Sequence, residues 1–149
     1  MPLYDVVVIG AGAAGLMAAL QLPAGWQVCI LESQAEPGRK LLATGNGRCN
    51  FSNQELSDTH YHGMNPWFAA GILQRFDTRW AVSTFRKYGL FVRSEEGRLY
   101  PYSMQARSLV DCLLQQLTRR ANTCLVTGAA VTAVEPRNAD LTTDRKSVV

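Results

Sequence analysis

The first part of the chain consists of two apolar runs separated by an alanine-rich segment. Residues 4–9 and 27–32 are β-branched or apolar almost throughout, the pattern of strands buried in a parallel sheet. Residues 13–22 between them are rich in Ala and Leu, and Pro23 and Gly25 end this predicted helix. Strand, helix and strand within about 30 residues predict a βαβ unit with a right-handed crossover. The fold class is therefore α/β.

The middle of the chain loses this periodicity, and the pattern returns only after it. Residues 33–65 are dominated by Gly, Asn, Ser and Thr, and a structureless stretch of this length indicates a functional loop. The later patterns predict two amphipathic helices, a hairpin, a long helix and two short strands. These elements are expected at residues 66–76 and 78–88, 90–93 with 98–100, 103–120, and 124–126 with 130–134.

A glycine motif lies directly between the first strand and the first helix. Gly10, Gly12 and Gly15 have the spacing GxGxxG, in which Ala14 directly precedes the third glycine. Gly10 permits a tight turn, Gly12 lets a pyrophosphate approach the backbone, and Gly15 lets helix and strand pack closely. Glu32 ends the second strand, where an acid can accept hydrogen bonds from ribose hydroxyls. The context predicts a dinucleotide site but leaves FAD and NAD open, while Glu32 disfavours the 2′-phosphate of NADP.

Composition and charge exclude several classes of protein. Hydrophobic residues make up 47% and charged residues 18%, which is incompatible with a disordered chain. The net charge of +3 comes from scattered residues without a basic stripe, so no nucleic acid is expected as partner. No apolar run reaches the roughly 18 residues of a membrane span. The four cysteines show no metal-site or disulfide spacing, so we expect no metal site and a cytoplasmic protein with reduced thiols.

A second motif follows soon after the acid. Residues 38–53 read GRKLLATGNGRCNFSN, a loop of glycines, cations and amides that can wrap an anionic ligand. The string resembles the signature of the BaiN/YhiN-like flavoproteins, an aminoacetone-oxidase-like family of NAD(P)/FAD-dependent oxidoreductases, in which it reads approximately GRKLLxSGxGRCNxTN. Thr44 and Ser52 each replace one hydroxyl residue by another. Residues 97–103 (GRLYPYS) resemble the family's GRxFPxS pattern, with Tyr100 for the usual Phe.

The resemblance implies a set of cofactor-binding residues. The ADP half of FAD is expected to contact Gly10, Gly12, Ala14, Gly15 and Glu32. Two further positions beside the cofactor are Arg39 and Lys40, and the segment that leads toward the flavin consists of Asn46, Gly47, Arg48, Cys49 and Asn50. The backbone of Val131 is expected to contact the adenine. For Val131, ordinary core packing is an equal alternative. Cys49 is expected to line the cofactor or support the loop rather than to react.

The resemblance also implies an activity and a domain organisation. The expected activity is that of a flavin-dependent oxidoreductase, in which hydride passes between NAD(P)H or a small organic substrate and an acceptor. Residues 1–143 are interpreted as the incomplete N-terminal part of a Rossmann-like FAD-binding domain. Residues 144–149 resemble a translated sequencing adapter and are interpreted as a non-native tail, with an ordinary charged tail as the alternative.

Two other functions compete with this one. The chain lacks the later glycine-rich, ATGG-like turn expected of the family, which favours a truncated, catalytically inactive nucleotide-binding fragment. A stand-alone NAD-binding module is the other alternative, but such a fold does not need the loop at residues 38–53. The pattern leaves the substrate, the catalytic residues and the oligomeric state open.

Overall fold

The structure is a computed structural model that describes residues 3–65 and 67–135. The interpreted tail at 144–149 and the predicted helix start at residue 66 lie outside the described residues. The described chain forms two compact units: residues up to Arg39 with those from Leu114 onward, and Lys40–Leu113. In chain order the elements are β1 (Val6–Ile9), α1 (Ala13–Gln21), β2 (Val28–Leu31), α2 (Arg39–Ala43), β3 (Ser52–Asn53), α3 (Trp67–Arg75), α4 (Thr78–Lys87), β4 (Val92–Glu95), β5 (Arg98–Pro101), α5 (Ala106–Thr118) and β6 (Thr123–Val126).

The first unit is built on a parallel sheet of order β1-β2-β6. In the central strand β2, Val28 pairs with Val6 on one side and with Thr123 on the other. Helix α1 buries Leu16 and Ala19 completely, and the small side chain of Ala19 lets the helix pack closely. The predicted βαβ unit is therefore confirmed, and it places the glycine motif at the carboxyl end of β1.

The second unit contains an antiparallel sheet of order β3-β5-β4 beside helices α3 and α4. The hairpin between β4 and β5 turns at Glu96 and Gly97, both with positive φ, as a two-residue type I′ turn requires. Asp77 is the N-cap of helix α4, and its carboxylate accepts the Trp80 N–H at 2.7 Å. The predicted hairpin and the two middle helices are confirmed.

Three expectations need correction. The strand predicted at residues 130–134 is wrong: within the described chain no strand lies beside this segment, and Val131 and Val134 are exposed. The loop at 33–65 is not structureless, because it contains α2, β3 and 3₁₀ turns at Thr44–Gly47 and Asp58–His60. Helix α5 begins later than predicted, since Met104 has a φ of +57° and cannot continue a right-handed helix.

The Arg120 side chain caps the C-terminal end of α1. Its guanidinium donates hydrogen bonds to the carbonyl oxygens of Leu20 at 2.8 Å and Leu22 at 2.6 Å. Carbonyls at a helix C-terminus have no intrahelical partner, and a cation there also interacts favourably with the helix dipole. A side chain about 100 residues further along the chain thus stabilises the C-terminal end of the crossover helix α1.

We expect Arg120→Ala to lower the free energy of unfolding by about 2 kcal/mol, because two charge-assisted hydrogen bonds are lost. Urea unfolding followed by circular dichroism measures this change. The exposed neighbour Arg119 supplies the control, since Arg119→Ala should leave the midpoint nearly unchanged. Equal effects of the two substitutions would show that the α1 contact contributes nothing.

Candidate nucleotide-binding site

The three glycines after β1 have different steric surroundings. Gly10 has a φ of +96°, a conformation that strains any residue with a side chain. A Cβ on Gly15 would overlap the carbonyl oxygen of Gly10, so helix and turn can approach only because this position is glycine. A Cβ on Gly12 would meet no atom within 4 Å. Gly12 is therefore not required by the described chain's own packing, and its bare backbone borders open space.

The start of α1 presents its backbone N–H groups to this open space. Gly12 is the N-cap residue, and the helix has no side-chain cap. The first intrahelical bond runs from the Leu16 N–H to the Gly12 carbonyl at 3.0 Å, so the N–H groups before Leu16 precede the helical ladder. Ala14 is exposed at this end. Free N–H groups and the positive end of a nine-residue helix dipole form a suitable receptor for phosphate.

The Glu32 carboxylate lies against the glycine turn. Its Oε2 accepts the Ala11 N–H at 2.7 Å, and its Oε1 accepts the Gln34 N–H at 2.8 Å. The bond from Gln34, followed by the bond from Ala11, lowers the pKa of Glu32 below its usual value. The group is therefore an oriented carboxylate at neutral pH. Oε1 also accepts the Ser33 hydroxyl at 3.3 Å, whereas Oε2 has a further lone pair that is available to a ribose hydroxyl.

The second motif begins in direct contact with the glycine turn. The Gly38 N–H donates to the Ala11 carbonyl at 2.8 Å, so both polar backbone groups of Ala11 are paired. The next residue, Arg39, is exposed and donates from Nη1 to Gln34 Oε1 at 2.7 Å. Arg39 thus lies on the segment that follows Glu32, where its charge is accessible to an anion.

The chain after β6 joins the same segment. The Ala129 N–H donates to the Glu32 carbonyl at 2.8 Å, and the Gly128 N–H donates to the Gln34 carbonyl at 3.0 Å. Val131 follows two residues later, with 37% of its surface exposed. A valine in the core would be less exposed. In the described chain, Val131 is also not part of a strand.

The second unit holds the remaining predicted residues in a tight turn. Gly45, Asn46, Gly47 and Cys49 all have positive φ, which makes this segment the most contorted of the second motif. A Cβ on Gly45 would lie 2.9 Å from the Asn50 nitrogen, so the turn closes only with glycine there. Asn46, Gly47 and Asn50 are exposed, as is Lys40 at the start of the unit.

Arg48 is held by three partners within the second unit. Its Nε donates to the Gly45 carbonyl at 3.2 Å, and its guanidinium lies 5.0 Å from the centre of the Tyr100 ring. Its Nη1 is 3.5 Å from a carboxylate oxygen of Glu95. Glu95 could not be identified from the local motif, because it lies on a separate strand. Arg48 therefore links the loop to the hairpin and is partly neutralised.

Cys49 has the environment of a structural thiol. Only 1% of its surface is exposed, and burial raises the pKa of the thiol above its usual value, with a smaller opposing effect from Thr44. A protonated, buried thiol is a poor nucleophile. This agrees with the expectation that Cys49 supports the loop.

The predicted site residues therefore fall into two groups. The first unit brings Gly10, Gly12, Ala14, Gly15 and Glu32 together at one turn, with Arg39 on the adjoining segment. The second unit groups the residues from Asn46 to Asn50 in one loop. Sequence reasoning missed Ala11 and Gln34, whose backbone N–H groups orient Glu32 and which carry no side-chain signal.

The described residues contain neither a candidate membrane-spanning helix nor a candidate metal site. None of the helices between residues 3 and 135 combines the length and the apolar character needed to cross a bilayer. The same residues contain no group of three or more His, Cys, Asp or Glu side chains arranged to hold a metal ion.

Three features define a dinucleotide-binding Rossmann domain: a parallel βαβ unit, a GxGxxG turn that is open to a phosphate, and an acid at the end of the second strand. The chain belongs to the HI0933-like protein family, whose Rossmann-domain model matches residues 4–148. The match confirms the family resemblance and the fold expected from the two motifs.

Curated relatives extend the comparison beyond the family model. A 3-dehydro-bile acid delta(4,6)-reductase from Clostridium scindens is 40% identical over 131 residues, which cover 86% of this chain and 32% of that protein. A ribosomal RNA dihydrouridine synthase from Escherichia coli is 36% identical over 119 residues, covering 78% of this chain and 29% of that protein. This chain thus spans about a third of the length of these relatives.

A solved structure agrees at the level of the fold. The crystal structure of Thermovibrio ammonificans THI4 superposes with a TM-score of 0.50 at 18% identity, and the match covers 83% of this chain and 38% of that one. The architecture of the described residues is thus shared with a protein of quite different sequence.

The Glu32 contacts predict a pH-dependent contribution to stability. A lowered pKa in the folded chain means that the stabilisation is present above the unfolded-state pKa and is lost as the pH falls through the folded-state value. Because water screens the partly exposed carboxylate, we expect Glu32→Gln to lower the free energy of unfolding by less than about 1 kcal/mol at pH 7 and by almost nothing once wild-type Glu32 is protonated. Urea unfolding at a series of pH values from 7 downward measures how this difference disappears. The exposed Glu55 is the control, and Glu55→Gln should show no such pH dependence.

Proposed function

We propose that this chain is the FAD-binding part of a flavin-dependent oxidoreductase. The observation that carries the proposal is the glycine turn, where bare backbone at Gly12, unpaired helix N–H groups and the charged Glu32 meet. Membership of the HI0933-like family supports a flavin as the dinucleotide, in line with the motif at residues 38–53. Bound FAD would supply the centre that accepts and donates hydride.

In this proposal the chain's own residues bind and orient the cofactor. The N-terminus of α1 receives the pyrophosphate, and the approach is close because Gly12 has no side chain. The remaining lone pair of Glu32 Oε2 accepts a hydrogen bond from a ribose hydroxyl, while the bonds to Ala11 and Gln34 hold the carboxylate in place. The exposed amide of Asn46 binds the polar edge of the flavin, while the Asn50 amide nitrogen donates to the carbonyls of Ser52 and Leu99 and so holds the loop.

We also propose an electron donor and a class of substrate. The expected donor is NAD(P)H, and the expected substrate is a small organic molecule rather than nucleic acid, because the basic residues are scattered. One relative is named for a bile acid and another for ribosomal RNA. The family therefore spans different substrates, and the fold alone does not select among them.

Gly12→Val tests the phosphate site. Since a Cβ at Gly12 meets no protein atom and φ there is −81°, the variant should fold, with a small decrease in melting temperature because valine is a poorer N-cap than glycine. We expect at least a tenfold loss of FAD affinity, because the branched side chain occupies the space of the pyrophosphate. The visible flavin absorption retained after desalting measures this. Full retention of flavin by Gly12→Val would refute the assignment, and Gly25→Val, in an equally open turn, is the matched control.

Reduction of the bound flavin tests the activity. If the wild-type chain retains FAD, addition of NADH under anaerobic conditions should bleach the flavin absorption, and oxygen should restore it. A chain that retains FAD without bleaching under either NADH or NADPH would be a nucleotide-binding fragment without the donor site. A chain that binds NAD but not FAD would instead support the stand-alone module.

A further inference from the structure

The second unit contains a cavity outside the two nucleotide motifs. It has a volume of about 440 Å³ and is lined by Leu90, Phe91, Tyr102, Ser103 and Ser108. The volume falls within the range of about 300–1,000 Å³ that is usual for small-molecule pockets. The lining residues come from the segments directly before β4 and directly after β5 and from the first turn of α5, and none of them is charged.

Two aromatic rings on the cavity wall are unusually exposed. Phe91 has 69% and Tyr102 has 68% of its surface exposed, although each lies next to a paired strand residue. The Tyr102 N–H donates to the Phe91 carbonyl at 2.8 Å, which continues the register in which Val92 pairs with Pro101. Residues opposite each other in such a ladder have side chains on the same face. The hairpin thus presents a pair of rings to one space.

The polar part of the cavity is a pair of serine hydroxyls. The oxygens of Ser103 and Ser108 are 2.7 Å apart, and Ser103 also accepts the Gln105 N–H at 3.3 Å. One hydroxyl hydrogen lies between the two oxygens, so the other is free to donate to a ligand. Met104, between these residues, has a φ of +57°, a strained conformation of the kind found at ligand-binding positions.

We propose that this cavity binds a neutral, flat ring compound that carries a single hydrogen-bonding group. The ring lies against Phe91 and Tyr102, because aromatic faces and edges attract one another beyond simple burial. The polar group meets the hydroxyl pair of Ser103 and Ser108. A charged ligand is disfavoured, since the lining offers no opposite charge to offset its loss of water. This binding does not depend on the flavin.

A matched pair of probes tests the proposal on the whole chain without flavin. The probes are 2-naphthol and decahydro-2-naphthol, which share a carbon skeleton and a hydroxyl but differ in flatness and aromatic character. Saturation-transfer NMR measures the binding of each. We expect 2-naphthol to bind several-fold more tightly, and we expect Phe91→Ala and Tyr102→Ala each to weaken its binding by about two- to tenfold.

Phe68 provides the control variant. It is 70% exposed on α3 and does not line the cavity, so Phe68→Ala should leave the affinity for 2-naphthol unchanged. Phe91→Leu keeps an apolar side chain at the site without a ring, and it replaces Phe91→Ala if circular dichroism shows that variant to be unfolded. The proposal is overturned by any of three results: no binding of 2-naphthol, equal binding of the saturated probe, or equal weakening by Phe68→Ala.

Discussion

The carboxylate of Glu32 accepts hydrogen bonds from two backbone segments, and the nucleotide site is organised around it. One bond comes from Ala11 in the glycine turn and the other from Gln34 after β2. Ala11 is fully buried, so leaving its N–H without an acceptor would lower the free energy of unfolding by about 1–3 kcal/mol. Its carbonyl in turn binds the Gly38 N–H, which starts the second motif. The position of the turn, the end of β2 and the start of the loop are therefore set together.

Much of the fold could be predicted because it depends on local patterns. The apolar runs of β1 and β2, the alanine-rich α1 and the turn at Gly97 each carry their structure in neighbouring residues. The strand expected at residues 130–134 failed for the opposite reason. A strand forms only where another strand accepts and donates its hydrogen bonds, and composition does not reveal whether that neighbour is present.

In the candidate site, too, local features could be predicted from the sequence and contacts between distant residues could not. The steric roles of Gly10 and Gly15 follow from their spacing, because the turn and the helix contact lie within six residues. The partners of Arg48 could not be read in this way, since Tyr100 and Glu95 are about fifty positions further along the chain. Local spacing thus identifies which residues belong to a site, and tertiary structure decides which of them contact a ligand and which hold the others.

The pairing of β2 has a consequence for the growing chain. Val28 pairs with Val6, which precedes it, and with Thr123, which is synthesised 95 residues later. At about 5–20 residues per second, one edge of an apolar strand therefore stays without its partner for roughly 5 to 20 seconds. Unpaired strand edges of this kind are templates for association with other chains. The nascent protein thus passes through an interval in which a chaperone that covers β2 would protect it most.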